Sequence, residues 1–504
     1  MAIDLSNETF TNQADIVPPS GVQEILINTG IANTLAGNDI LNGDTGNNLS
    51  FPANRLSGFS NTGTLNTANG NDIITGIGNS IIYTGNSLSG VYNTGTLNTA
   101  NGNDIIRGIR YQGVDNAFEE FDYDFGYGVY TTGGGIIDTG DGHDLISGIS
   151  EARTGRGIQA DDNSTINTGD GNDTITGTGN GYGIGIRYGG IIDTGKGKDI
   201  ITGVATDYGD GIFNFSTLDT GEGNDIITGS NTGTNPNERG IGIVNTSTFN
   251  TGEGKDTITG SGSVGIDNSS TFNTGEGNDT ITGNGTSSGI DNRGRLDTGN
   301  GNDIITGTTT DGGSAIRTSA PMLLGDGNDT ITGIGTGTSS IGIRMSNTLN
   351  TGNGNDTITG IGTQYGFWNF VGILDTGDGD DTITGSGSIF GIYNQGTIFT
   401  GNGADSIIAD GGFEVSPSDE SGLVVLGSGT DYLKGFGRGY YQGGEDEDTL
   451  ELTPGSYTIA ISATAVNFSK DSRIMRTSGF EKLIAGSTTY DFTSLTNGQT
   501  IIVA

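Results

Sequence analysis

Apolar residues in this chain come singly or in pairs, and they return at fixed offsets between glycine-rich polar turns. In residues 265–288, GIDNSSTFNTGEGNDTITGNGTSS, the anchors are Ile266, Phe272 and Ile281, and the next stretch repeats them as Ile290, Leu296 and Ile305. Spacings of six, nine and nine residues are too short for helices and predict three short strands joined by tight corners. Around Ile281 the run Asp-Thr-Ile-Thr alternates polar and apolar, as a strand with one buried face does. Stacked with a rise of about 4.8 Å per coil, such anchors form continuous internal aliphatic columns.

Between the third strand and the next coil lies a loop, Thr-Gly-x-Gly-x-Asp. Its full form occurs ten times, ending at Asp144, Asp173, Asp199, Asp225, Asp256, Asp279, Asp303, Asp356, Asp381 and Asp405, with a variant ending at Asp329. From Asp173 the first five steps are 26, 26, 31, 23 and 24 residues. A period of about 25 residues marks a solenoid in which each repeat is one coil. The expected fold is an all-β, right-handed parallel β-solenoid with three-sided coils. Residues 1–34 read as an N-terminal cap or assembly segment, 35–450 as the solenoid, and 451–504 as a non-repetitive C-terminal β cap. Within the solenoid, 110–135 reads as an aromatic and acidic insertion, because the loop at Asp144 follows that at Asp104 by 40 residues.

The first strand of a coil ends in asparagine at Asn93, Asn214, Asn245, Asn268, Asn292, Asn369 and Asn394. Stacked asparagines can bond amide to amide, and asparagine tolerates the backbone of a tight corner, so a structural role is expected there. Beside that corner stand Tyr92, Phe213, Trp368 and Tyr393, expected on the outer surface, where rings either decorate the solenoid or meet sugars.

Composition narrows the partners. Lys plus Arg number 20 against 59 Asp plus Glu, a net charge of −39. Nucleic acid and anionic membranes both need a basic patch, so cations are the natural partners instead. Without cysteine there are neither disulfides nor thiolate metal sites. No run of about 18 apolar residues is present to span a membrane, and MAIDLSNETF lacks the basic and apolar regions of a cleaved signal.

The loop aspartates carry the chemistry. Stacking holds neighbouring carboxylates about 5 Å apart, where repulsion is about 1 kcal/mol per pair in water and about 3 kcal/mol at an effective dielectric of 20. Summed along the column this exceeds the usual stability of a domain, so the carboxylates are protonated or a cation lies between them. Hard oxygen ligands, flexible loops and no nitrogen or sulfur favour Ca²⁺. The candidate metal ligands are Asp144, Asp173, Asp199, Asp225, Asp256, Asp279, Asp303, Asp329, Asp356, Asp381, Asp405, Asp431 and Asp448. The earlier loops, at Asp39, Asp72 and Asp104, carry Leu35, Ala68 and Ala100 in place of a glycine and are left undecided.

The string TGEGNDTIT (Thr274 to Thr282) resembles the nonapeptide GGxGxDxUx of the RTX, or hemolysin-type, calcium-binding repeat family. The resemblance covers roughly Thr139 to Leu450. It implies Ca²⁺ held between consecutive loops by the motif aspartate and backbone carbonyls. Two departures stand out: one motif per coil where the family has two, and threonine for the first glycine. Together they imply half a β-roll with calcium along one edge. LGSGTDYL and GGEDEDTL bring Asp431 and Asp448 within 17 residues, closer to the family's coil. The strand-rich end that follows resembles the cap and uncleaved export signal of type I secreted proteins, which implies a secreted protein folding as it meets calcium.

Four functions follow as expectations. The first is a non-enzymatic, calcium-binding structural rod at the cell surface, a homo-oligomer or homopolymer forming a filament, sheath or layer, with cell-surface polysaccharide as a further partner. The alternatives are a calcium-dependent adhesin, an ice-binding solenoid built on the Thr-Ile-Thr face, and a polysaccharide-modifying enzyme. The single His143 lies where other loops have asparagine, which reads as a tolerated substitution.

Overall fold

The computed structural model describes residues 2–19, 22–46, 57–79, 88–111, 126–233, 240–415 and 422–504. The chain divides into two compact units, Met1–Asn273 and Thr274–Ala504. Each is a parallel β-solenoid of the expected kind, with three strands to a coil. A motif strand follows the aspartate loop, an asparagine-terminated strand follows that, and a strand of two or three residues leads into the next loop.

Register repeats without slippage. In the first unit, Ile175, Ile201, Ile227 and Ile258 pair rung on rung. In the second, the same column runs Ile281, Ile305, Ile331, Ile358, Ile383 and Ile407. The asparagine strand adds Ile290, Ile316, Ile343, Phe367 and Ile392, and the short strand adds Leu296, Met322, Leu349, Leu374 and Ile398. All of these are fully or almost fully buried, and each contributes about 1.5–3 kcal/mol relative to exposure. In the first unit, Phe249 and Phe272 stack at 4.2 Å and 9°, so aromatic rings keep the strand spacing.

Glycines, and not corners alone, shape the coil. A Cβ on Gly283 of the motif strand would lie 2.2 Å from the Gly289 carbonyl oxygen of the asparagine strand, and one on Gly289 would lie 2.4 Å from the Thr308 nitrogen of the next coil. The two strands therefore pack face to face at backbone distance, and glycine alone fits between them. In two coils they run together as one strand, Thr257–Asn268 and Thr280–Asn292. The expected corner between them is absent there.

The boundaries shift in three places. Ala2–Asp4 already pairs with Ile25–Asn28, so the solenoid starts near residue 2, ahead of the expected cap at 1–34. Of the segment expected as an insertion, 112–125 lies outside the described residues, while Gly126–Thr131 is an ordinary rung between Leu88–Asn93 and Arg156–Ala160. At the C-terminus, Thr449–Leu452 is still a parallel rung. Beyond it Gly455–Ile461, Val466–Lys470, Arg473–Ser478 and Thr500–Val503 pair antiparallel, and Lys482–Ala485 with Thr488–Asp491 makes a hairpin. These strands are the expected β cap.

The outward residues of the motif strand also keep register. Thr282, Thr306, Thr332, Thr359 and Thr384 form one column, with Thr280, Ile304, Thr330, Thr357 and Thr382 beside it. At the asparagine corner the amide ladder exists as expected. Asn28 donates to Asn61 and Asn61 to Asn93, both at 2.8 Å, while Asn214 donates to Asn245 and Asn245 to Asn268 at 3.0 and 2.9 Å.

Candidate metal seam

The glycines of the aspartate loop answer to two steric demands. The first adopts a left-handed backbone, with φ of +85° at Gly275 and +75° at Gly299. The second has no room for a side chain: a Cβ on Gly301 would sit 1.5 Å from the Gly277 oxygen. The second glycine is accordingly kept at Gly37, Gly70 and Gly102, where the first is replaced. Leu35, Ala68 and Ala100 hold φ of +66°, +61° and +57°, a conformation costing an L-residue about 1 kcal/mol or more.

Each motif aspartate is then bound into a ladder. Its backbone N–H donates to the Oδ1 of the aspartate one coil later. The bonds run from Asp144 through Asp173, Asp199 and Asp225 to Asp256, each at 2.8 Å. In the second unit they run from Asp279 through Asp303, Asp329, Asp356, Asp381, Asp405 and Asp431 to Asp448, at 2.7–3.0 Å. All thirteen candidates lie in these two ladders and are at most 2% exposed. The structure buries them inside the turn. The early loops extend the first ladder, through Asp39, Asp72 and Asp104.

Two further members lack the full Thr-Gly-x-Gly-x-Asp loop. Asp15 donates its N–H to Asp39, and Glu481 accepts that of Asp448 through Oε2, both at 2.8 Å. Their sequences, Asp15-Ile-Val and Glu481-Lys-Leu-Ile, keep the acid two residues before an inward anchor, so the pattern was present without the glycines.

The second carboxylate oxygen separates the loops into two kinds. In Asp39 and Asp72 it accepts the hydroxyl of the loop's own threonine, Thr34 or Thr67. In Asp104, Asp144, Asp173, Asp199, Asp225, Asp303, Asp329, Asp356, Asp381, Asp405, Asp431 and Asp448, Oδ2 is buried and makes no hydrogen bond of good geometry. The loop threonines bond instead to the next loop's threonine carbonyl, as from Thr168 to Thr194 at 3.4 Å. Asp104 thus belongs with the later loops.

Burial consequently raises the carboxyl groups, with neighbouring aspartates adding to the effect. Asp173 and Asp303 rise to about 7 although an amide and a threonine hydroxyl pull them down. Asp329 goes highest, to about 8, through burial, with Asp303 and Asp356 adding to it and no hydroxyl from Leu324 to lower it.

These donors suit a hard cation. Per coil they comprise one orphaned carboxylate oxygen and glycine carbonyls; those of Gly299 and Gly301 accept no backbone bond among the described residues. Among the described residues no three acidic or histidine side chains converge, so a cation would draw one carboxylate from a coil and the remainder from backbone.

Comparison with known proteins adds little. No protein-family profile matches the chain, and no curated protein resembles it. One solved structure aligns over 98% of this chain and 95% of its own, that of a hyperactive, Ca²⁺-dependent, β-helical antifreeze protein from an Antarctic bacterium. It is 15% identical, with a TM-score of 0.28. At that level the likeness carries no argument, and the fold rests on the pairing described above.

The remaining singled-out residues find structural places. His143 accepts the Asn172 amide through Nδ1 at 2.9 Å, the role that Asn172 plays for Lys198 at 2.7 Å. Tyr92, Phe213, Trp368 and Tyr393 sit half-buried on the outer side of the asparagine strand. Among the described residues no helix is long and apolar enough to cross a membrane.

Proposed function

We propose that this chain is a calcium-stabilised structural solenoid without catalytic activity, exported and assembling with copies of itself at the cell surface. The observation that carries the reading is the column of buried aspartates, among them Asp173, Asp199, Asp303, Asp329 and Asp356, whose Oδ2 makes no hydrogen bond of good geometry. Leaving a buried carboxylate oxygen unpaired costs about 1–3 kcal/mol or more, and a cation along the seam offsets that penalty coil after coil. Asp144 to Asp256 and Asp279 to Asp448 would hold the metal through Oδ2, with loop carbonyls completing an oxygen shell. Calcium would supply positive charge to a chain of net charge −39. Export rests on the resemblance of the C-terminal segment to type I signals.

The test is far-UV circular dichroism with millimolar Ca²⁺ and with chelator, alongside calorimetric titration. Calcium should sharpen and raise the unfolding transition, with more than one ion bound per chain. A protein that melts identically in chelator and binds no calcium would remove the reading.

A second reading, ice binding, is favoured by the outward threonine column Thr282, Thr306, Thr332, Thr359 and Thr384, whose rungs are in one-to-one register. Thermal hysteresis of the calcium-loaded protein decides it, and absence of hysteresis ends it.

A further inference from the structure

Positive charge is scarce in this chain, and in the second unit it gathers on one face. The outward position of the asparagine strand reads, rung by rung, Asp291, Arg317, Arg344, Trp368, Tyr393 and Glu414. Asp291 sits 3.8 Å from both Arg317 and Arg293. Glu414 lies 2.8 Å from Arg473 and 3.6 Å from Arg438. Arg344 has no ion-pair partner among the described residues and lies 4.7 Å over the Trp368 ring. On this face Arg317 and Arg293 share Asp291, Arg438 and Arg473 share Glu414, and Arg344 makes no ion pair among the described residues. Trp368 and Tyr393 stand edge to face at 5.6 Å, and Arg473 covers Phe390 at 5.2 Å. Arginine and aromatic residues packed together have the composition of an interface centre.

We infer that this face docks laterally onto the acidic loop edge of a second copy of the chain. The inference rests on the structural reading above and supplies its geometry of assembly. Charge complementarity selects the partner: the third loop position carries exposed acids on several rungs, with Glu222, which also meets Lys196 at 2.8 Å, and Glu253 on consecutive rungs. Arg317 and Arg344 are also on consecutive rungs. Both rows rise by one strand spacing, about 4.8 Å, since one backbone pairing generates both. A row of carboxylates on one copy therefore matches a row of guanidinium groups on another without adjustment. Lateral docking also agrees with the antiparallel strands that close the C-terminal end of this unit, which leave less open edge for end-to-end growth.

Sedimentation velocity and negative-stain microscopy of the calcium-loaded protein test the inference. Arg317→Glu with Arg344→Glu should weaken self-association by about tenfold or more, while circular dichroism stays that of the parent. Glu222→Arg with Glu253→Arg should do the same, and mixing the two variants should restore association. High salt should dissolve the parent's assemblies. Unchanged association of the arginine variant, or a parent that stays monomeric, overturns the inference. So does a parent that binds an anionic polysaccharide through this face without self-associating. A parent that assembles and melts identically in chelator would sink the calcium reading and leave the docking face standing.

Discussion

Stripping the metal and raising the pH should unfold the second unit. Seven of its loop aspartates, Asp303, Asp329, Asp356, Asp381, Asp405, Asp431 and Asp448, are raised by burial from 3.8 to between about 6 and about 8. Because the folded values lie above the unfolded ones, their contribution is fully present below about pH 4. It is lost as pH climbs through 6 to 8. At full ionisation, shifts of this size correspond to roughly 3–6 kcal/mol each. Reducing that threefold for solvent screening and for coupling along the column leaves a total on the order of 10 kcal/mol. That equals the whole stability of a typical domain. Thermal melts in chelator at pH 5, 6, 7 and 8 should therefore show a falling midpoint and loss of the transition near pH 8. Calcium should invert the trend, because it competes with the proton for the same oxygens: its stabilisation should be slight at pH 5 and large at pH 8. Equal stability in chelator at pH 5 and pH 8 would refute the reasoning.

Three more predictions follow from single contacts. Asp303→Asn with Asp329→Asn keeps the Oδ1 acceptor but removes two buried charges; melts in chelator at pH 8 should rise while calorimetry shows fewer calcium ions bound. Gly301→Ala places a methyl 1.5 Å from the Gly277 oxygen and should cost about 3 kcal/mol or more in denaturant titrations, against less than about 0.5 kcal/mol for Glu276→Ala on the exposed edge. Asn245→Ala removes the acceptor of Asn214 and the donor to Asn268 and Thr271, so the first unit should lose about 2–4 kcal/mol in the same measurement.

Much of this was legible because local pattern and coil period coincide. The anchors at Ile281, Ile290 and Leu296, the aspartate loops and the asparagine corner all repeat in the sequence, and repetition converts directly into stacking. Less visible was whatever depends on contact across the coil. The need for Gly283 and Gly289 is set by two strands packed at backbone distance. The bond from the Asp303 amide to Asp329 spans 26 residues. It satisfies one carboxylate oxygen, which a repulsion argument from spacing alone did not include. Glu481 lacks the full motif in the sequence, because the motif's glycines belong to the turn and not to the acid.

The aspartate ladder has a direction. Each N–H points to the following coil, and the series in the second unit ends on Glu481, beside the strands that cap the unit. A partly folded unit that lacks its next coil therefore holds a donor without an acceptor at its C-terminal end, whatever the number of coils already stacked. Ending the chain at residue 450 should therefore leave the Asp448 N–H unsatisfied and the unit slow to fold in stopped-flow refolding, even with calcium present. In a long, repetitive and strongly acidic solenoid, the cap is thus the one place where the ladder finds its terminal acceptor.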